Sequence, residues 1–205
     1  MAKNGRFIVL EGPDGCGKST QTSRLADRLT ATGRQVERVR DPGGTPIGEE
    51  IRDILLNPDF HEMSVRTEML LYMASRAQLV EQCIRPALEV GRIILSDRYL
   101  TSTLVYQGLA GGLDIEVINR LYAYACGETR PDLVIVLDVP TDVGRSRLSG
   151  RPDRMESKSV EFHEKVRQGY LAVAELDPDR HVVIDARSSV DEVAEAAWKA
   201  VEHVL

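Results

Sequence analysis

Five short apolar runs punctuate the chain: Phe7–Leu10, Gln35–Arg40, Arg92–Ser96, Leu133–Val139 and His181–Ile184. Each is too short for an ordinary helix and carries β-branched residues, so each predicts a strand. The stretch Leu133-Val134-Ile135-Val136-Leu137 is almost unbroken, as in a strand covered on both faces. Between the runs, apolar residues recur at helical spacing. Leu25, Ala26 and Leu29 predict a helix that begins near Ser19 and is closed by Gly33. Ile47, Ile51, Ile54 and Leu55 predict a second, and Met69, Met73, Ala77, Val80 and Ile84 a long third over about 64–88. Ile115, Ile118, Leu121 and Tyr122 follow the good N-cap Asp114. Phe162, Val166, Tyr170 and Val173 mark a helix over 159–176. A capping box at Ser189-Val190-Asp191-Glu192 opens the last, which buries Val193, Ala197, Trp198 and Val201. Strand and helix alternate throughout. That order predicts an α/β fold, a mostly parallel five-stranded sheet with helices on both faces. No repeat, low-complexity tract or linker interrupts it, so residues 1–205 are expected to form one domain.

Composition narrows the picture without changing it. The 205 residues are 42% hydrophobic and 28% charged, with a formal net charge of −6. An acidic balance argues against a nucleic-acid scaffold or a binder of anionic membranes. No apolar run approaches the ~20 residues that span a bilayer. The first strand follows Met1–Arg6 at once, leaving no room for a leader. Cys16, Cys83 and Cys126 are scattered, lack metal-ligand spacing and fit a reducing cytoplasm. His61, His163, His181 and His203 do not cluster, and none adjoins a nucleophile.

The first strand runs into Gly12-Pro13-Asp14-Gly15-Cys16-Gly17-Lys18-Ser19-Thr20. Strand, G-x-x-x-x-G-K-S, then helix is the setting of a phosphate-binding loop. Its glycines let successive N–H groups turn onto phosphate oxygens, and the next helix points its positive end at them. Lys18 would reach the outer phosphates, and the Ser19 hydroxyl would ligate Mg²⁺. Cys16 reads as a small residue filling a variable position.

Other charges gather where strands end. Arg40-Asp41-Pro42-Gly43-Gly44-Thr45-Pro46 makes a rigid loop after the second strand, and Arg40 is placed there to meet an anion. Asp97-Arg98 follows the third strand directly. Charge at a core boundary needs a partner: Asp97 would position Mg²⁺ or its waters, and Arg98 would grip a phosphate with two donors. Gly108, Gly111 and Gly112 then read as a flexible turn. Tyr72 and Arg76 share one side of the third helix, four residues apart, and alone they read as ordinary helix neighbours. Arg52 reads as a surface residue. Four arginines between Arg145 and Arg154, interrupted by Gly150 and Pro152, look like a mobile basic lid over about 149–158.

These parts suit either a kinase acting on a small acceptor or a nucleotide-driven switch. A switch needs a group to orient water, and no obvious glutamine or base is present. A kinase needs arginines converging on two phosphates and a lid against hydrolysis. A phosphate acceptor is already a nucleophile, so the absence of a catalytic histidine is no obstacle.

Several stretches, in order, resemble the thymidylate kinase family of P-loop NTPase-type folds. They are the phosphate loop, Arg40-Asp41-Pro42-Gly43-Gly44-Thr45, Ala74-Ser75-Arg76-Ala77-Gln78, Arg130-Pro131-Asp132 and Asp153-Arg154-Met155-Glu156. The most specific is Asp97-Arg98-Tyr99-x-x-Ser102-Thr103-x-Val105-Tyr106-Gln107. The resemblance implies phosphorylation of dTMP to dTDP with ATP and Mg²⁺. It implies that Asp14 holds the acceptor's sugar hydroxyl, that Tyr72 stacks on thymine, and that Arg76 and Thr103 meet the ring's polar edge. Tyr106 would close against the sugar, with Gln107 in the same substrate-binding set. Arg98, supported by Arg40 and Arg52, would hold the acceptor phosphate. The loop carries Asp14 and Cys16, and no basic residue stands between its first and third glycines. The lid, with Arg151 and Arg154, would therefore supply charge, as in the family's bacterial form. Asp41 stands where Glu is usual, which shortens its reach. The resemblance also implies a homodimer.

Overall fold

A computed structural model describes residues 5–205; the expectation about a leader rests on residues 1–4, outside the described part. In chain order, β1 is Arg6–Glu11, α1 Lys18–Ala31, β2 Val36–Arg40, α2 Pro46–Leu56 and α3 Val65–Leu79. A π-turn at Val80–Ile84 leads into α4, Arg85–Glu89, then β3, Ile93–Asp97. Helix α5 is Leu100–Thr103, continued by a π-turn at Leu104–Leu109, and α6 is Ile115–Cys126. The remainder is β4 Leu133–Asp138, α7 Thr141–Ser146, α8 Val160–Leu176, β5 His181–Asp185 and α9 Val190–Glu202.

All four strand pairings are parallel, in the order β2-β3-β1-β4-β5. Side chains alternate across β1. Phe7 and Val9 enter a core with α3, α6 and α8, while Ile8 and Leu10 enter one with α1 and α9. Both faces are therefore apolar, which explains the unbroken hydrophobic runs. β1 is central, and the chain winds first to one side and then to the other. The register sets Leu10 beside Asp97 and Arg40 beside Asp97, gathering the polar strand ends at one edge.

Two expectations change. The helix expected over 64–88 is interrupted by the π-turn before Pro86, a residue with no N–H for a regular ladder. Gly108 lies within a helical continuation, and only Gly111 and Gly112 fall in the turn. A methyl on Gly108 would stand 2.4 Å from Ile115 Cδ1, so this glycine serves close packing against α6.

Candidate active site

The phosphate loop joins the carboxyl end of β1 to α1. Gly15 has φ +75°, and a Cβ there would meet Gly144 O at 2.0 Å, so conformation and space both require glycine. No side chain caps α1. Its first-turn N–H groups are left for an anion. The Lys18 ammonium arches back and donates to Gly12 O (3.0 Å) and Pro13 O (2.9 Å). Cys16 is buried, as a space-filling residue would be. Ser19 Oγ donates to Asp97 Oδ2 at 3.0 Å, although the two are distant in sequence. Around them lies a cavity of about 600 Å³, lined by residues 14–21 and by Arg40, Arg52, Asp97, Arg98 and Arg147.

Arg98 is the only non-glycine residue with positive φ (68°) among the described residues. Such a conformation persists where surroundings over-determine it. Its N–H donates to Leu10 O (3.0 Å), and Ser96 Oγ donates to its carbonyl (2.7 Å). Nη1 donates to Gly12 O, Ser102 Oγ and Tyr170 OH, and Nη2 to Asp14 Oδ1. Burial alone would lower the guanidinium's pKa, but Tyr106, Tyr170, Asp14 and Glu11 outweigh it and hold it well above its ordinary value. Burial likewise pushes the Asp14 carboxyl up. Arg98, Lys18 and the Tyr106 hydroxyl overcome that and hold it below its ordinary value.

Glu11 is a residue that the sequence reading missed. It is fully buried and accepts from Tyr99 N (2.9 Å), Ser102 N (3.1 Å), Ser102 Oγ (2.6 Å) and Tyr170 OH (3.1 Å). Burial raises its carboxyl against those bonds and Arg98. Its signal was a charge ending an apolar strand, the same signal used for Asp97.

A second, narrower cavity of about 90 Å³ adjoins the first. Tyr72, Arg76, Thr103, Tyr106 and Gln107 line it, together with Asp153 and Met155 from the 149–158 segment. Arg76 is 1% exposed and paired with Asp41 at 2.5 Å; its Nη2 donates to Thr103 Oγ1 (2.8 Å) and Tyr99 O (3.2 Å). Asp41 therefore reaches Arg76 despite its short side chain. Tyr106 OH donates to Asp14 Oδ2 at 3.2 Å. Burial pushes the Tyr72 hydroxyl above its ordinary value, with Glu68 adding to the effect. Gln107 Nε2 donates to Glu68 Oε1.

Arg52, a surface residue when read alone and a phosphate support by the resemblance, is half-buried. Its Nη1 donates to Pro42 O at 3.1 Å, and it lines both cavities. Arg40 lines only the larger and is paired with Glu49 at 2.6 Å. The basic lid also changes. Arg151 is exposed, but Arg154 is 7% exposed and is drawn inward by the buried Glu68 carboxylate at 2.6 Å. Arg154 thus departs from a solvent-facing lid cation. Arg147, counted in that run without a role of its own, donates to Ala186 O and lines the larger cavity.

The model of the family described as "Thymidylate kinase" matches residues 10–197. A thymidylate kinase of Syntrophotalea carbinolica is 47% identical, covering 97% of this chain and 96% of the relative. One from Deinococcus radiodurans is 45% identical, covering 96% of each. Among solved structures, the thymidylate kinase of Ehrlichia chaffeensis superposes with a TM-score of 0.81 at 29% identity, covering 97% of this chain and 99% of that one. With the phosphate loop, the five-stranded parallel sheet and two adjoining cavities in place, these matches show that the chain belongs to the thymidylate kinase family.

Proposed function

We propose that this protein transfers the terminal phosphoryl group of ATP to dTMP, giving ADP and dTDP. The observation that carries this reading is the meeting of the two cavities. Both are lined by Asp14, Arg98, Asp41 and Arg52, so anions in each would confront one another there. The larger cavity takes ATP on Gly12–Thr20, with Lys18 swinging from the loop carbonyls to the outer phosphates. The narrower takes dTMP, its base between Tyr72 and the Arg76–Thr103 edge, its sugar against Asp14 and Tyr106. Gln107 backs that wall.

Arg98 holds the acceptor phosphate, with Arg40 and Arg52 in support. The two nucleotides repel at their phosphates, and fixed guanidinium groups offset that repulsion without reorganising. Little covalent chemistry is asked of the protein; positioning and charge are the mechanism. Ser19 and Asp97 present a hydroxyl and a carboxylate 3.0 Å apart, hard oxygen donors that suit Mg²⁺. Bound there with phosphate and water ligands, Mg²⁺ would neutralise charge on the donor phosphates. The segment about 149–158, with Arg151 at its exposed part, acts as a short lid on the single domain 1–205.

A homodimer fits the exposed apolar side chains on the adjacent helices α3 and α6: Leu70, Val117 and Tyr124. No helix among the described residues is long and apolar enough to cross a membrane. With three unpaired cysteines, the chain suits the reducing cytoplasm.

The test is an acceptor panel. With ATP and Mg²⁺, ADP should form fastest with dTMP. Equal rates with AMP, CMP or UMP would point to another monophosphate kinase, and ADP release without any acceptor would favour a nucleotide switch.

A further inference from the structure

Glu68, on α3 one turn before Tyr72, is fully buried, and nothing in the phosphoryl-transfer scheme uses it. Its two oxygens are divided between different parts of the chain. Oε1 accepts from Gln107 Nε2 at 2.7 Å, and Oε2 accepts from Arg154 Nη1 at 2.6 Å, with Lys158 Nζ 3.6 Å away. Arg154 in turn donates Nε to Leu55 O (2.7 Å) and its backbone N–H to Leu56 O (3.0 Å). One carboxylate thus ties together α3, the π-turn after α5, the end of α2 and the segment 153–158.

Each of those parts supplies lining to the narrower cavity: Tyr72, Gln107, Leu56, and Asp153 with Met155. The last segment is a compact turn, because Asp153 Oδ1 accepts from both Met155 N and Glu156 N at 2.8 Å. The turn is held together by those bonds, and Arg154 anchors it to α2 and α3. Mere stabilisation is a poor account of the arrangement. A buried ion pair often does no better than apolar residues of the same volume, and Arg154 Nη2 is buried with no partner among the described residues.

We propose that Glu68 is a positioning residue for the acceptor. Through Gln107 and Arg154 it sets the walls of the narrower cavity, so that Asp153 and Met155 of the 153–158 turn close on dTMP, while Glu156 of the same turn borders the larger cavity. This rests on reading that cavity as the dTMP site.

The experiment is steady-state kinetics on the full chain, varying each substrate in turn, for the wild type, Glu68→Gln, Arg154→Met and Glu68→Gln/Arg154→Met. Glu68→Gln should raise KM for dTMP roughly tenfold, with KM for ATP and kcat within about threefold of the wild type. The double variant should cost less than the sum of its parts, since its members share one contact. An unchanged dTMP KM, or equal losses in kcat and both KM values, would overturn the proposal. A wild type indifferent to dTMP would instead sink the reading of the site itself. Should Glu68→Gln not fold, hydrogen exchange on the wild type decides. Addition of dTMP alone should protect the amides of 153–158, and identical exchange with and without dTMP would equally overturn the proposal.

Discussion

Arg98 Nη2 lies 2.5 Å from Asp14 Oδ1, across the seam where the two cavities meet and 84 residues away in sequence. The pair joins the phosphate loop to the strand end of β3. It holds the guanidinium in place before any anion arrives, so little ordering remains to be done on binding.

Arg98→Ala should therefore be severe. Loss of a half-buried charged donor at the reacting phosphates costs about 3 kcal/mol, or on the order of a hundredfold in kcat/KM for the acceptor. The KM for ATP should move far less. Kinetics with each substrate varied separately checks this, and equal weakening of both substrates would contradict the assignment.

Asp14 gives a pH prediction with a definite sign. Its carboxyl is held below its ordinary value by Arg98, Lys18 and Tyr106. The stability it contributes is present above the ordinary carboxylate pKa and is lost only as pH falls through the lower folded value. At any pH near neutrality Asp14 is ionised. An acid limb in kcat/KM near pH 6 should then follow the second ionisation of the acceptor phosphate, at about 6 for a phosphate monoester. Asp14→Asn should lower the rate but leave that limb where it is. If the limb disappears with Asp14→Asn, the limb belongs to the protein.

Gly15→Ala combines a clash with Gly144 O and a positive φ. A loss of about 2 kcal/mol in stability or a displaced phosphate loop should result. Thermal denaturation and ATP titration together read this out. Unchanged values in both would show that the loop tolerates what its geometry forbids.

Arg147 reaches the larger cavity from the end of α7, bonded to Ala186 O. Arg147→Ala should weaken ATP several-fold, on the order of 1 kcal/mol, and leave the KM for dTMP alone. A change confined to dTMP would remove Arg147 from the donor's side.

Leu70→Glu or Tyr124→Glu should shift the protein toward a monomer, because each places a charge on the apolar face of α3 and α6. Sedimentation at several concentrations gives the answer. Wild type that is monomeric throughout would remove the dimer.

The sequence by itself determined the order of strands and helices, the phosphate loop and the polar strand ends. Helical and strand periods repeat within a few residues, the phosphate loop is a contiguous glycine-rich run ending in Lys18 and Ser19, and Lys18 bonds back to Gly12 and Pro13 in that same loop. Those features are local, so local pattern carries them. Arg52, Arg154 and Glu11 are different. Spacing gives the face on which a side chain stands, but not what faces it from elsewhere in the fold. Arg154 and Glu68 are 86 residues apart, and only packing of the turn against α2 and α3 makes them a buried pair. Helical spacing alone left Arg52 at the surface and only the resemblance put it with the acceptor; in the fold its Nη1 donates to Pro42 O in the loop after β2. Where a charge needs a distant partner in a dry interior, the tertiary structure decides its role, because the cost of burial is settled by that partner alone.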